Sequence, residues 1–213
     1  AVMAIMGDDV RWVGNEKGIG RETEWSATVL TPGIYSRSEK NNKQLGVFGK
    51  AQDLGSRDIL GNATELFWYP SEVDVSIRPG WFYHAREDHQ VKSLSHLVDL
   101  YYRSVGHNAN FLLNFPVALN GKISPADSIR AVEWYQTIQN DLKTNLLKGA
   151  SVKASNSRGG QFKADKTNDG NWDSYWATED GVTNATLTFT FSKPTDVNRL
   201  MIQEYIPLGQ RVK

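Results

Sequence analysis

The chain opens on an unbroken apolar run, Ala1 to Met6, with no polar alternation to give it a solvent-facing side. Such a run predicts a strand buried on both faces, as in a parallel sheet. The next stretch, Gly7-Asp8-Asp9-Val10-Arg11-Trp12-Val13-Gly14-Asn15-Glu16-Lys17-Gly18, reads as a polar loop at the C-terminal end of that strand, where α/β barrels keep their chemistry. Carboxylates, an indole and an amide in one loop suit a sugar site. On composition alone, a solvated connection with scattered charge reads equally well. Further on, Val91, Leu94, Leu97, Val98, Tyr101, Tyr102 and Val105 form one stripe at helical spacing. A second helix is announced by Ser124-Pro125-Ala126-Asp127, with a capping Ser, Pro in the first turn and an early acid. Its apolar face is predicted to run through Ile129, Val132, Ile138, Leu142 and Leu146. Between the helices, Phe111 to Phe115 is a short apolar strand closed by Pro116.

Strand, loop and helix in alternation predict an α/β sheet with crossovers. After Lys148-Gly149 the texture changes to short alternating strands. Thr186 to Phe191 has period two, with Leu187, Phe189 and Phe191 on the face to be buried. Turn-rich segments, Asn156 to Gly160 and Asn168 to Asn171, separate the strands. The expected division is 1–148, an α/β piece, and 149–213, the first part of a β-sandwich or jelly roll. An eight-stranded α/β barrel takes about 250 residues, so 1–148 supplies only its latter part. The chain is expected to be an internal fragment of a longer protein.

Composition narrows the function classes. Lys and Arg number 24, matched by 24 Asp and Glu, so there is no basic field for nucleic acid. The 213 residues include no cysteine, which excludes disulfides, thiolate metal sites and a Cys nucleophile. No apolar segment is long enough to span a membrane, and no signal peptide is visible. Seven Trp in a mildly polar chain suit stacking on sugar rings. Nothing here sets an oligomeric state.

Three blocks then carry a resemblance. They are residues 7–26, ending in Glu24-Trp25-Ser26; Glu72 to His84, followed by Glu87-Asp88; and Ser104 to Pro116, followed by Gly121-Lys122-Ile123. Together they resemble the second half of the catalytic domain of bacterial α-L-fucosidases, glycoside hydrolase family 29. The form Arg11-Trp12-Val13-Gly14-Asn15-Glu16 resembles the subfamily preferring α-1,3 and α-1,4 linked fucose. Ser155 to Gly160, Asp169-Gly170-Asn171 and Ser174 to Thr178, with Gln203 to Ile206 and Leu208 to Val212, resemble a discoidin-like module (factor V/VIII type C), galactose-binding-domain-like in fold. The implied fold class is α/β: the latter part of a (β/α)8, TIM-like barrel, followed by the first part of a β-sandwich module.

The resemblance implies a retaining exo-glycosidase acting on fucosylated oligosaccharides or glycoconjugates, in the periplasm or outside a bacterial cell. Such chemistry needs two carboxyl groups about 5–5.5 Å apart. It makes Glu16 the acid/base, with Trp12 and Asn15 beside it to orient and desolvate it; the alternative is a loop salt bridge to Arg11 or Lys17. The nucleophile, an Asp in a Trp-x-Asp-Gly context, is absent from this sequence and is expected upstream of Ala1. Asp8 and Asp9 share a loop with Glu16 and are read as shaping it. Trp81 either lines the fucose pocket or is a buried aromatic at a strand end. Glu72 and Arg78 are either substrate contacts or an ion pair with each other. His84 is read as a polar contact or rim histidine rather than a metal ligand, and Trp25 as barrel core or a sugar platform. His107 stands where Arg is expected and is read as a packing change. No cofactor is implied for catalysis. Asp169 and Asn171 resemble a structural Ca²⁺ loop, although Asx turns alone would explain the same residues. The competing reading is a non-catalytic carbohydrate-binding protein using the discoidin-like module. Alone, the chain is expected to be inactive and to expose a buried face.

Overall fold

The computed structural model describes residues 9–22, 24–33, 35–44, 54, 57–61, 63–205 and 212. The strand expected at Ala1–Met6, Asp8 and most of 206–213 lie outside them. In chain order the elements are β1 (Arg11–Trp12), β2 (Ala27–Thr28), α1 (Tyr35–Gln44), α2 (Arg57–Leu60), β3 (Phe67–Trp68), β4 (Ser71–Ser76), α3 (Leu94–Ser104), β5 (Asn110–Asn114), α4 (Pro125–Leu142), β6 (Ser151–Ala154) and β7 (Leu187–Thr190). The chain divides into two compact units, Ala1–Gln139 and Asn140–Lys213. That division falls inside α4, upstream of the change in texture at Lys148-Gly149.

In the first unit, β1, β4 and β5 form a parallel sheet in the order β1-β4-β5. Every residue of β4 is buried. Its Val75, with Ile77 just beyond, packs on Leu97 and Leu100 of α3, and Val73 packs on Val13 and Ala109. Because side chains alternate along a strand, the opposite face of β4 carries Glu72, Asp74 and Ser76. The unit β4–α3–β5 is therefore a parallel pair joined by a helix that covers the apolar face. Between β1 and β4 the chain makes a separate antiparallel pair, β2 with β3. Arg11 and Trp12, read from the sequence as loop, instead form β1: Arg11 N–H donates to the Pro70 carbonyl at 2.9 Å and Val13 N–H to that of Glu72 at 3.1 Å. A charged residue is tolerated in this buried strand because Glu24 neutralises it.

The helices follow the expected pattern with two corrections. Helix α3 starts at Leu94 because the Ser93 hydroxyl accepts from His96 N–H. Its buried residues include Leu100 and Ser104, whereas Val105 lies beyond its end and is exposed. Helix α4 begins at Pro125 as expected, but Ile129, Val132, Leu142 and, beyond it, Leu146 are exposed. Its inward stripe runs through Asp127, Trp134 and Ile138. Trp134 packs edge-on against Tyr101 and Phe111, and Asp127 is drawn in by Arg78. One ion pair thus sets the rotation of the helix.

Arg78 follows β4 and is fully buried. Its Nε donates to both carboxylate oxygens of Asp127, at 3.0 and 2.9 Å, and its Nη2 to Asp88 at 2.6 Å. Burial opposes the guanidinium charge, but the hydrogen bonds it donates to Asp127 and Asp88 outweigh it and raise the Arg78 pKa. The Tyr83 ring covers the guanidinium at 4.8 Å. The Ser124 hydroxyl donates to Asp88 at 3.3 Å, so the residue read as a helix cap ties the helix start into the same network.

In the second unit, β6 and β7 pair antiparallel, with Val152 opposite Phe189 and Ala154 opposite Leu187. Leu187 and Phe189 are half-buried and the threonines between them exposed, the alternation read from the sequence. Trp176 Nε1 donates to the Asn156 carbonyl and the Ser157 hydroxyl, at 3.0 and 3.1 Å. Tyr175 stacks on Tyr205 with ring centroids 4.3 Å apart.

Two substitutions test how tightly the first unit is built. Gly18 has a left-handed φ of 70°, and a Cβ there would stand 2.8 Å from Val75 Cγ1. Gly18→Ala is expected to lower stability by about 2–3 kcal/mol, read as a lower urea midpoint. Asp127→Ala leaves buried Arg78 under-compensated and should cost about 3–5 kcal/mol. An unchanged midpoint in that variant would mean that Asp88 alone carries the pair.

Candidate active site

Parallel strands bring their C-terminal ends to one edge of a sheet. After β1 the chain turns at Gly14, φ 89°, into Asn15 and Glu16. After β4 it reaches Trp81, and β5 ends at Asn114. Side-chain hydrogen bonds draw these three segments together. Trp81 Nε1 donates to Glu16 Oε2 at 2.9 Å. Asn114 Nδ2 donates to the Trp81 carbonyl at 3.0 Å and to the Ser76 hydroxyl at 3.1 Å. Trp12 Nε1 is shared between Asp74 Oδ1 at 2.8 Å and the Asn15 carbonyl at 3.1 Å. Asn15 closes its own turn, its Oδ1 accepting from Lys17 N–H at 2.9 Å.

Three carboxyls gather around this edge in different surroundings. Glu16 is exposed. Glu72 and Asp74 stand two residues apart on one face of β4, only 8% and 7% exposed. Burial raises the pKa of both; Asp74 adds to the rise at Glu72, and Glu16 to that at Asp74, while the Trp12 hydrogen bond partly offsets the latter. Glu72 Oε1 is buried and finds no hydrogen-bond partner among the described residues.

The residues singled out from sequence divide. Trp12, Asn15, Glu16 and Trp81 come together. Neither salt bridge considered for Glu16 forms among the described residues: Arg11 pairs with Glu24, which also takes Arg21 at 2.9 Å. The Arg78–Glu72 pair does not form either, because the Arg78 guanidinium is spent on Asp127 and Asp88. Arg78 therefore braces the loop after β4 and offers no free face to a substrate. The exposed His84 lines an open groove with Tyr83, Arg86 and Leu119, and its carbonyl accepts from Arg78 Nη1 at 3.4 Å. Trp25 is half-buried, its carbonyl accepting from Arg11 at 2.7 Å. Asp74 and Asn114 were missed, although both lie in the blocks quoted above. The available signal was the polar period-two face Glu72, Asp74, Ser76 on a strand whose other face is valine.

Asp169 and Asn171, in the second unit, make successive Asx turns. Asp169 accepts from Asn171 N–H at 2.9 Å and from the Ser174 hydroxyl at 2.6 Å, and Asn171 accepts from Asp173 N–H at 3.0 Å. The Ser174 hydroxyl and Asn171 N–H hold the Asp169 carboxyl below the usual carboxylate range. The Lys166 ammonium lies 3.4 Å from the same carboxylate. Among the described residues, no three His, Cys, Asp or Glu side chains cluster as a metal site, and no helix is long and apolar enough to cross a membrane.

Exposed and buried carboxyls thus meet indoles at the ends of parallel strands on a mixed α/β fold. Known proteins similar to this chain are named as α-L-fucosidases. The chain is 37% identical to Alpha-L-fucosidase 1 of Arabidopsis thaliana over 215 residues, 99% of this chain and 39% of that protein. A Bacteroides ovatus protein assigned as an α-L-fucosidase superposes with TM-score 0.65 at 64% identity, over 75% of this chain and 28% of that one. A Ruminococcus gnavus GH29 fucosidase solved in complex with fucose gives TM-score 0.61 at 35% identity, over 84% and 34%. No family model matches the chain. The chain spans about two fifths of the length of the curated relatives it matches.

The buried carboxyls set a pH dependence. Glu72 and Asp74 hold their protons more tightly in the fold than in the unfolded chain. Their contribution to stability is therefore greatest below the ordinary carboxylate range and falls as pH rises through the raised values. Asp74→Asn keeps an oxygen for Trp12 and removes one of these losses. Its thermal midpoint should exceed the parent's at pH 7, and the difference should shrink toward about pH 4. An equal difference at both would show that the charge on Asp74 is not its source.

Proposed function

We propose that this chain is the latter part of the catalytic barrel, and the start of a discoidin-like β-sandwich module, of a retaining exo-acting α-L-fucosidase of glycoside hydrolase family 29. Its substrate is terminal α-1,3 or α-1,4 linked fucose on an oligosaccharide or glycoconjugate. The observation that carries the reading is Glu16. It is an exposed carboxyl at the end of a parallel strand, held by an indole N–H, in a chain aligned almost throughout with an α-L-fucosidase.

In this reading Glu16 gives its proton to the glycosidic oxygen as the bond to the anomeric carbon breaks. A carboxylate from outside this chain attacks that carbon and forms a glycosyl ester. Glu16, now ionised, takes a proton from the water that hydrolyses the ester. In this reading the Trp81 ring faces the C–H side and methyl group of fucose, while Trp12 and Asn15 shape the loop that presents the acid.

Glu16→Gln in the full-length protein tests this. Turnover of α-L-fucosides with alcohol leaving groups should fall by about 10²–10⁴. Glycosylation from a dinitrophenyl fucoside, whose leaving group needs no proton, should be nearly unchanged. Equal loss on both substrates, or none, overturns the assignment of Glu16.

A further inference from the structure

We infer that Asn114 is a positioning residue for the acid/base carboxyl, acting through Trp81; the inference rests on the role proposed for Glu16. Trp81 lies five residues beyond β4, and only a side-chain contact across the sheet edge relates it to Glu16 after β1. Its indole N–H is the donor on Glu16 Oε2 at 2.9 Å. A single hydrogen bond to an exposed carboxylate gives little orientation unless the donor is itself held. Here it is held through its backbone: Asn114 Nδ2 donates to the Trp81 carbonyl at 3.0 Å and, at 3.1 Å, to the Ser76 hydroxyl on β4.

Asn114 sits at the end of β5, directly opposite Ser76 in the parallel register. The amide is thus anchored on the rigid sheet at both its own backbone and its Ser76 contact. The relay runs from Ser76 and Asn114 on the sheet, through the Trp81 backbone and indole, to the Glu16 carboxylate. Its effect is directional. It presents one oxygen of Glu16 to the tryptophan and leaves the other for the leaving-group oxygen. Misplacing a proton donor by about 1 Å costs about 10²-fold in rate, which is the scale on which this relay acts. Asn114 itself touches no reacting atom.

The experiment compares Asn114→Ala, Trp81→Phe, the double variant and Glu16→Gln in the full-length protein, on an alcohol fucoside and a dinitrophenyl fucoside. Asn114→Ala removes the carbonyl tether, and Trp81→Phe removes the indole donor together with part of the ring proposed to face fucose, so one remains informative if the other folds poorly. The expected result is a kcat/KM loss of about tenfold or more on the alcohol fucoside for each single variant; the loss in the dinitrophenyl glycosylation step should stay under about twofold for Asn114→Ala and be clearly smaller than the alcohol-fucoside loss for Trp81→Phe. The double variant should lose little more than either single one, because both act on one element. Equal losses on the two substrates, or additive losses in the double variant, overturn the positioning role while leaving Glu16→Gln selectively impaired on the alcohol fucoside. If Glu16→Gln itself shows no such selectivity, the acid/base reading falls and the inference falls with it.

Discussion

A parallel strand buried on both faces must satisfy two different environments with one alternating sequence, and β4 is built around that constraint. Its valines face α3, where they take part in the apolar core. Its Glu72, Asp74 and Ser76 face the other way, buried but polar. Burying two carboxyls costs free energy unless they are protonated or hydrogen-bonded, so the face is stable only with its donors. Trp12 supplies one to Asp74, and Asn114 reaches Ser76. The strands on either side of β4 are therefore tied to it by side chains as well as by the backbone ladder. Those same side chains fix the ends of the strands from which the candidate site projects.

The second constraint is charge inside the protein. Arg78 and Asp127 are both fully buried, and a buried pair contributes specificity of geometry more than net stability. Its effect is visible in α4. A helix rotated to bury Ile129 and Val132 would take Asp127 off the guanidinium. In the structure the helix turns Asp127 inward, onto Arg78. Arg11 and Glu24 do the same for β1, making a strand interior out of residues that composition marks as loop.

These two pairs explain what was legible in the sequence and what was not. Strand β5, helix α3 and the alternation of β7 follow from local periodicity, which needs no knowledge of the partner. The start of α4 was legible because Pro125 is at home in a first helical turn. Its inward face was not, because Asp127 turns inward only by finding Arg78, 49 residues away. The pairing of Arg78 with Glu72 failed because Asp127 and Asp88, both far from position 72 in sequence, take the guanidinium. In the site, the loop bearing Trp12, Asn15 and Glu16 was legible as a concentration of functional side chains. The contribution of Asn114 was not, because it acts through a backbone carbonyl that no motif marks.

The three carboxyls at the sheet edge illustrate how surroundings, rather than residue type, separate roles. Glu72 and Asp74 are nearly closed to solvent and project from a strand. Glu16 is exposed, on a loop, with an indole fixing one oxygen. On the proposed reading, a group so placed hands a proton to a bound glycoside and takes one back from water. The buried pair belongs to the sheet: the charge on Glu16 adds to the raised pKa of Asp74, and Trp12 answers Asp74 with a hydrogen bond. The polar face of the sheet thereby holds, through Trp12, the segment that leads into the loop of the acid.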